Sequence, residues 1–423
     1  MPVKVISAEQ HQIPESRVHS GAVSVVRRLK EDGFQAFVVG GAVRDLMLGG
    51  HPKDFDVATD ATPEQVRERF RGARIIGRRF QIVHVRMGRE IIEVTTFRGH
   101  GEDSNSKRRE SDKGLLLRDN VYGTLDEDAA RRDLSVNAMY YDPDTRQVYD
   151  HMNGVEDIHN RLVRIIGDPQ QRYREDPVRM LRVARFSAKL QFDIETETEH
   201  AIQVCSPLLS EIPAARLFDE FLKLFMAGYA KPTLQLLDHH GLLQYLFPEP
   251  AHHFQRNESA RHLMLEATGN TDKRVHAGKP VTPAFLLAAL HWPVVQHVAA
   301  QLEHAGEPTV QATHSAGQQI IAEACLHTAI PKRFSIPMRE IWDFQPRLEQ
   351  CKSRRVKDML ASRRFRAAWD LLLLREAAGE DVEQAVAFWG EQQEKFADIV
   401  GSAPPQNDDR PPKRRPRRRR RNP

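Results

Sequence analysis

The sequence predicts an α+β chain: an N-terminal mixed α/β head with a small sheet, an elongated all-α neck, body and tail, then a disordered basic arm. Three observations carry this reading. Short apolar strand runs such as QAFVV and IIEVTT fall in the first hundred residues. From Asp126 apolar residues recur at helical spacing almost to residue 400. The chain closes on RPPKRRPRRRRRNP, with nine Lys or Arg and no acid. The expected division is a flexible start at 1–20, a head at 21–142, a neck at 143–212, a helical body at 213–355, a last helical unit at 356–400 and the arm at 401–423.

Within the head, GAVSVVRRLKEDG, 21–33, has Val23, Val26 and Leu29 on one helical face and Gly33 as its stop. QAFVV, 35–39, follows as a buried strand. Gly40-Gly41 then turn into a short helix, and DFDVAT reads as the next strand. Thr62-Pro63-Glu64-Gln65 combines a cap, a proline at the first helical position and a glutamine three residues after the cap, so a helix is expected over 63–71. Residues 74–87 and 89–98 read as a hairpin about Gly88, and 99–114 as a mobile loop. Helical stripes cover 126–141, 172–190, 194–205, 213–227, 231–245, 283–303 and 316–327; 354–375 and 380–398 form a last helical unit before a linker at 401–409.

At 423 residues, two to four packed units are expected. No apolar run approaches 18 residues and the first twenty residues have no secretory pattern, so no membrane contact and a cytoplasmic location are expected. Cys205, Cys325 and Cys351 are isolated and read as reduced thiols. The histidines of DHHG (238–241) and LHWP (290–293) read as packing or surface residues. Of 62 Lys and Arg residues nine follow Asp409, which leaves 53 against 58 acids in the body. A mildly acidic globule with a compact basic arm points to a polyanionic partner.

The stretch HPKDFDVATD carries the chemistry. Alternation along a strand puts Asp54 and Asp56 on one side and Phe55 and Val57 toward the core. Two such carboxylates repel unless a cation lies between them, and hard oxygen ligands suit Mg2+. Upstream, Gly40-Gly41-Ala42-Val43-Arg44-Asp45 follows a strand and opens a helix: its glycines let backbone N–H groups approach phosphate and Arg44 adds a cation. It is neither a Walker A loop nor GxGxxG. A phosphate cradle beside a metal-binding pair suggests nucleotidyl transfer.

The run VVGGAVRDLMLGGHPKDFDVAT resembles the head of the class II nucleotidyltransferases, the group of bacterial poly(A) polymerases and tRNA CCA-adding enzymes. The second family motif is similar to Ala130–Ala138, with Arg131, Arg132 and Asp133, and the nucleotide-reading motif to Glu175–Arg182. Asp176, Arg179 and Arg182 share one helical stripe and can present an acceptor and a planar donor to a base edge; the alternative is a surface helix with a Glu175–Arg179 pair. The resemblance implies a two-metal Mg2+ mechanism with Asp54 and Asp56 as metal ligands and Asp133 as third catalytic carboxylate, Glu93 being its rival. It further implies that Gly40, Gly41, Arg44 and Arg132 bind nucleotide phosphate, and that Asp176, Arg179 and Arg182 select ATP. Residues 75–85, with 213–230, 364–380 and the arm, lean to the poly(A) polymerases. Template-independent addition of AMP to RNA 3′ ends is therefore expected, with Arg414, Arg415, Arg417, Arg418, Arg419, Arg420 and Arg421 binding RNA and with RNA-decay machinery as an implied partner. CCA addition and non-catalytic RNA binding are the alternatives.

Overall fold

A computed structural model describes residues 3–77, 81–99, 109–110, 116–118 and 121–400. The chain divides into two units, 1–248 and 249–423. That boundary falls within the stretch 213–355 expected as one body.

The first unit is built on an eight-stranded sheet in the order Lys4–Ile6, Gln147–Asp150, Met139–Asp142, Ala36–Val39, Asp56–Thr59, Glu90–Thr96, Ile82–Met87, Arg74–Ile76. Neighbours are antiparallel except Asp56–Thr59 and Glu90–Thr96, which run parallel with Asp56 opposite Glu93. Ala36–Val39 is buried along its whole length, as four consecutive apolar residues in a central strand require. Helix Ser20–Glu31 covers the sheet with Ala22, Val25, Val26 and Leu29. Helix Pro63–Arg69 begins on the expected cap: Gln65 N–H donates to Thr62 Oγ1 at 3.3 Å, and Thr62 N–H to Gln65 Oε1 at 2.8 Å.

The sheet is larger than predicted, because two strands come from outside the expected head. Residues 4–6, within the stretch expected to be flexible, form an edge strand paired with 148–150. The helix expected over 126–141 ends at Arg131; Arg132 is extended (φ −63°, ψ 165°), and Met139–Asp142 is a strand. Long-range pairing overrides the apolar spacing there: Met139–Asp142 bonds to strands on both sides, burying Tyr140 and Tyr141.

The hairpin about Gly88 (φ 66°) forms with its first arm split into Arg74–Ile76 and Ile82–Met87. Residues 78–80, and all of 99–114 except 99, 109 and 110, lie outside the described residues. The helix expected over 172–190 is two helices, Pro169–Glu175 and Val178–Leu190. Pro177 offers no N–H and pushes Asp176 to an extended backbone (φ −152°, ψ 93°), which breaks the run.

Among the described residues the second unit is helical. Its central helix, Pro283–His304, is long and apolar enough to cross a membrane by length and composition, more than the sequence reading allowed; 61% of its apolar stretch is buried in the protein. Helices Thr309–His327 and Lys332–Glu349 pack on it. Fully buried Trp342 donates its indole N–H to Ala288 O at 2.9 Å. His291 is core, as expected: it is 2% exposed, bonded to Leu287 O and pushed down to about 4 by burial.

Candidate active site

Asp56 opens its strand and Asp54 lies two residues before it, so Asp54 is not itself in the strand. The predicted alternation survives: Phe55 and Val57 are buried while both aspartates are exposed. The partner of Asp56 across the parallel pair is Glu93, whose Oε1 lies 3.1 Å from His84 Nε2. Although Asp56 reaches solvent, the protein packed around its carboxyl, then Glu93 and then Asp54 push it up to about 6, against the pull of Arg132. Glu93 and Asp54 both disfavour ionisation of Asp56, and a hard divalent cation held among these carboxylates would relieve that repulsion.

Asp133 lies elsewhere. Its Oδ2 is 2.5 Å from Arg182 Nη2, and its Oδ1 accepts from Leu134 N–H at 2.8 Å. Burial raises its affinity for a proton, but Arg182 and the hydrogen bonds prevail and hold it below the usual carboxylate range. The carboxylate that structurally adjoins Asp56 is thus Glu93, the rival of the sequence reading, because the parallel register sets them side by side.

Gly40 ends the strand Ala36–Val39 with φ 78°, a conformation favouring glycine, and a Cβ there would stand 3.6 Å from Arg132 Nη1. Gly41 begins the helix Gly41–Met47. Arg44, expected as a fixed cation for phosphate, is 2% exposed. Its Nε and Nη2 donate to Asp45 Oδ1 at 2.8 and 2.6 Å, and its Nη1 donates to Asn137 Oδ1. The Phe186 ring lies 5.1 Å from its guanidinium carbon. Arg44 therefore ties the first motif to the second and to helix Val178–Leu190.

Arg132 is held in the same way. Its Nε and Nη2 donate to Asp128 Oδ2 at 3.2 and 3.0 Å, and its Nε also donates to Tyr140 OH at 3.0 Å. Arg172, absent from the sequence reading, donates from Nη2 to the carbonyls of Arg131 and Arg132 at 2.8 and 2.7 Å. Arg179 donates to Glu175 Oε2 at 2.9 Å, the pair that the surface-helix alternative expected, and to Arg172 O at 2.7 Å. Asp176 Oδ2 accepts from Arg216 at 2.7 Å, whereas its Oδ1 is buried with no hydrogen-bond partner among the described residues.

Along helix Val178–Leu190 the cations continue past Arg182 to Arg185 and Lys189. Burial and then Arg182 hold Arg185 below its ordinary range; burial and then Arg44 do so for Lys189. The sequence reading stopped the stripe at Arg182, although spacings of three and four residues lead on to both. The seven arginines of the arm lie outside the described residues.

The family of poly A polymerase head domains matches residues 36–164, the region described as probable RNA and SrmB-binding site of polymerase A matches 191–254, and the arginine-rich C-terminus of polymerase A matches 305–422. Poly(A) polymerase I of Escherichia coli O6:H1 is 44% identical over 399 residues, 92% of this chain and 86% of that protein. Poly(A) polymerase I of Haemophilus influenzae is 42% identical over 92% of this chain and 88% of its own. The CCA-adding enzyme of Lactobacillus helveticus is 39% identical over about half of each chain, 51% and 52%. The solved Bacillus stearothermophilus CCA-adding enzyme in complex with CTP shares the fold, with a TM-score of 0.62, 25% identity and coverage of 90% of this chain and 83% of that one.

Proposed function

The chain belongs to the poly(A) polymerase family, and from that premise we propose how its site adds AMP from ATP to RNA 3′ ends without a template, releasing pyrophosphate. The supporting observation is the carboxylate edge of Asp54, Asp56 and Glu93, where burial, then Glu93 and then Asp54 lift Asp56 to about 6. Asp54 and Asp56 would hold divalent cations, Mg2+ by the hardness of their oxygens, with Glu93 completing the set. Bound there, such ions would lower the pKa of the attacking RNA 3′-hydroxyl and neutralise the triphosphate.

The remaining residues position and select. Gly40 and Gly41 keep the backbone open to phosphate beside Arg132, while Arg44, fixed to Asp45 and Asn137, holds that loop in place. Asp133 acts through Arg182 rather than on the reacting atoms, and sets the cation row that ends in Arg185 and Lys189. That row carries positive charge complementary to a triphosphate. Asp176 Oδ1, buried and unpartnered, is an acceptor suited to the exocyclic amine of adenine, and Arg179 supplies the neighbouring donor. The RNA strand is held by its phosphates through the arm, Arg414 to Arg421, without sequence preference. A cytoplasmic setting and association with RNA-decay machinery belong to the same reading.

Purified protein incubated with a short labelled RNA, Mg2+ and ATP alone is expected to yield a long ladder of adenylated products. Extension that stops after a few nucleotides, requires CTP and prefers tRNA lacking its terminus would overturn the reading in favour of CCA addition.

A further inference from the structure

We propose that Glu199, His239 and His240 form a binding site for a transition-metal ion of the zinc class, separate from the carboxylate edge. Glu199 lies on helix Thr196–Cys205, and the histidines at the end of helix Ala230–His239. One ligand atom from each lies within 4.8 Å of the other two. His240 Nδ1 is 3.8 Å from Glu199 Oε1, and the two imidazole centroids are 4.8 Å apart with their planes at 74°.

Local backbone explains how adjacent residues share a site. Neighbours on a helix point about 100° apart. Here the helix ends at His239, His240 follows with φ −90° and ψ 8°, and the two rings meet edge to face. The His240 side chain is 3% exposed and Glu199 39%, giving the trio one wall in the protein and one side open to water.

The donor set selects the ion. Two imidazoles and one carboxylate match the three protein ligands of zinc sites that keep a position for water, and they suit Co2+ and Ni2+ as well. Mg2+ prefers an all-oxygen shell, so the two sites take different ions. Donors about 2.0–2.2 Å from zinc lie closer together than these atoms do, so binding would draw the two helices together by a small side-chain adjustment.

The test uses the full chain, stripped by chelator and kept in excess Mg2+ so that the carboxylate edge is occupied, and titrated with Co2+ while its visible absorption is recorded. One saturable Co2+ per chain, displaced by Zn2+, is expected. His239→Ala, at an exposed position, and Glu199→Gln should each weaken binding at least about tenfold while leaving the metal-free melting temperature in place. Zn2+ should raise the melting temperature of the wild-type chain and not of His239→Ala. A Co2+ titration that is unsaturable in the wild-type chain, or that is the same in either variant as in the wild-type chain, would overturn the site.

Discussion

The carboxylate edge and the buried motif junction contrast in how their charges are settled. At the junction Arg44 meets Asp45 and Asn137, Arg132 meets Asp128 and Tyr140, and Arg182 meets Asp133. At the edge Glu93 and Asp54 add to burial in raising the Asp56 carboxyl, and among the described residues Arg132 is the cation that lowers it. The junction is complete as folded; the edge is completed by what it binds. Conserving charge balance at the junction therefore governs stability, and breaking it at the edge governs chemistry.

Four experiments sharpen or break that contrast. Asp54→Asn is expected to reduce AMP addition by at least about 10³-fold, with the melting temperature held or raised, because repulsion falls as the cation site is lost. RNA extension together with a thermal melt checks both halves, and near-normal extension in Mg2+ would dissolve the role assigned to the edge. Arg44→Ala should have the opposite signature, a loss of about 3 kcal/mol on urea unfolding, since Asp45 and Asn137 lose their buried partner. A loss below about 1 kcal/mol would show the junction is not held by these pairs.

Arg179→Ala should erode preference for ATP over CTP by about 1–3 kcal/mol, read from the ratio of kcat/KM values, with little change in RNA affinity. Undiminished selectivity would place base reading elsewhere. The smallest effect concerns pH. Asp56 must be ionised to bind a cation, so kcat/KM at limiting Mg2+ should rise about tenfold between pH 5 and 7, with a midpoint near 6 that moves down as Mg2+ is raised. Folding has the reverse sign: this carboxyl binds its proton more tightly folded than unfolded, so its contribution to stability falls as pH climbs from about 4 to about 6, and Asp56→Asn should remove that slope. A profile unchanged by Mg2+ would detach the midpoint from the cation site.

The features legible in the sequence were those whose causes are local. Thr62 and Gln65 announced a helix start, and the glycines at 33 and 88 marked turns at positive φ. The alternation of Asp54 and Asp56 around Phe55 was readable because extended backbone turns successive side chains to opposite sides, and it holds although the strand itself begins only at Asp56. What escaped depended on distant partners. Met139–Asp142 has helical spacing in sequence and became a strand because Val38 and Val39 stand beside it. Glu93 could not be ranked over Asp133, since only the register of the parallel pair sets it against Asp56. Arg44 reads in sequence as a cation for phosphate, and its buried ties to Asn137 and Phe186 come from distant parts of the chain. Pro177 was local and visible, yet the helix was expected to run through it.

The strand order also imposes a timetable on synthesis. The central strand Ala36–Val39 pairs with Met139–Asp142, and the edge strand Lys4–Ile6 with Gln147–Asp150, so the first residues made wait for partners more than a hundred positions later. Asp54 and Asp56 emerge early, beside strands whose other neighbours do not yet exist. A nascent chain carries the metal-binding pair long before it carries the framework that aims it, and contacts of such long range form slowly. Activity should therefore appear during translation as a late step, once residues beyond Asp150 have left the ribosome.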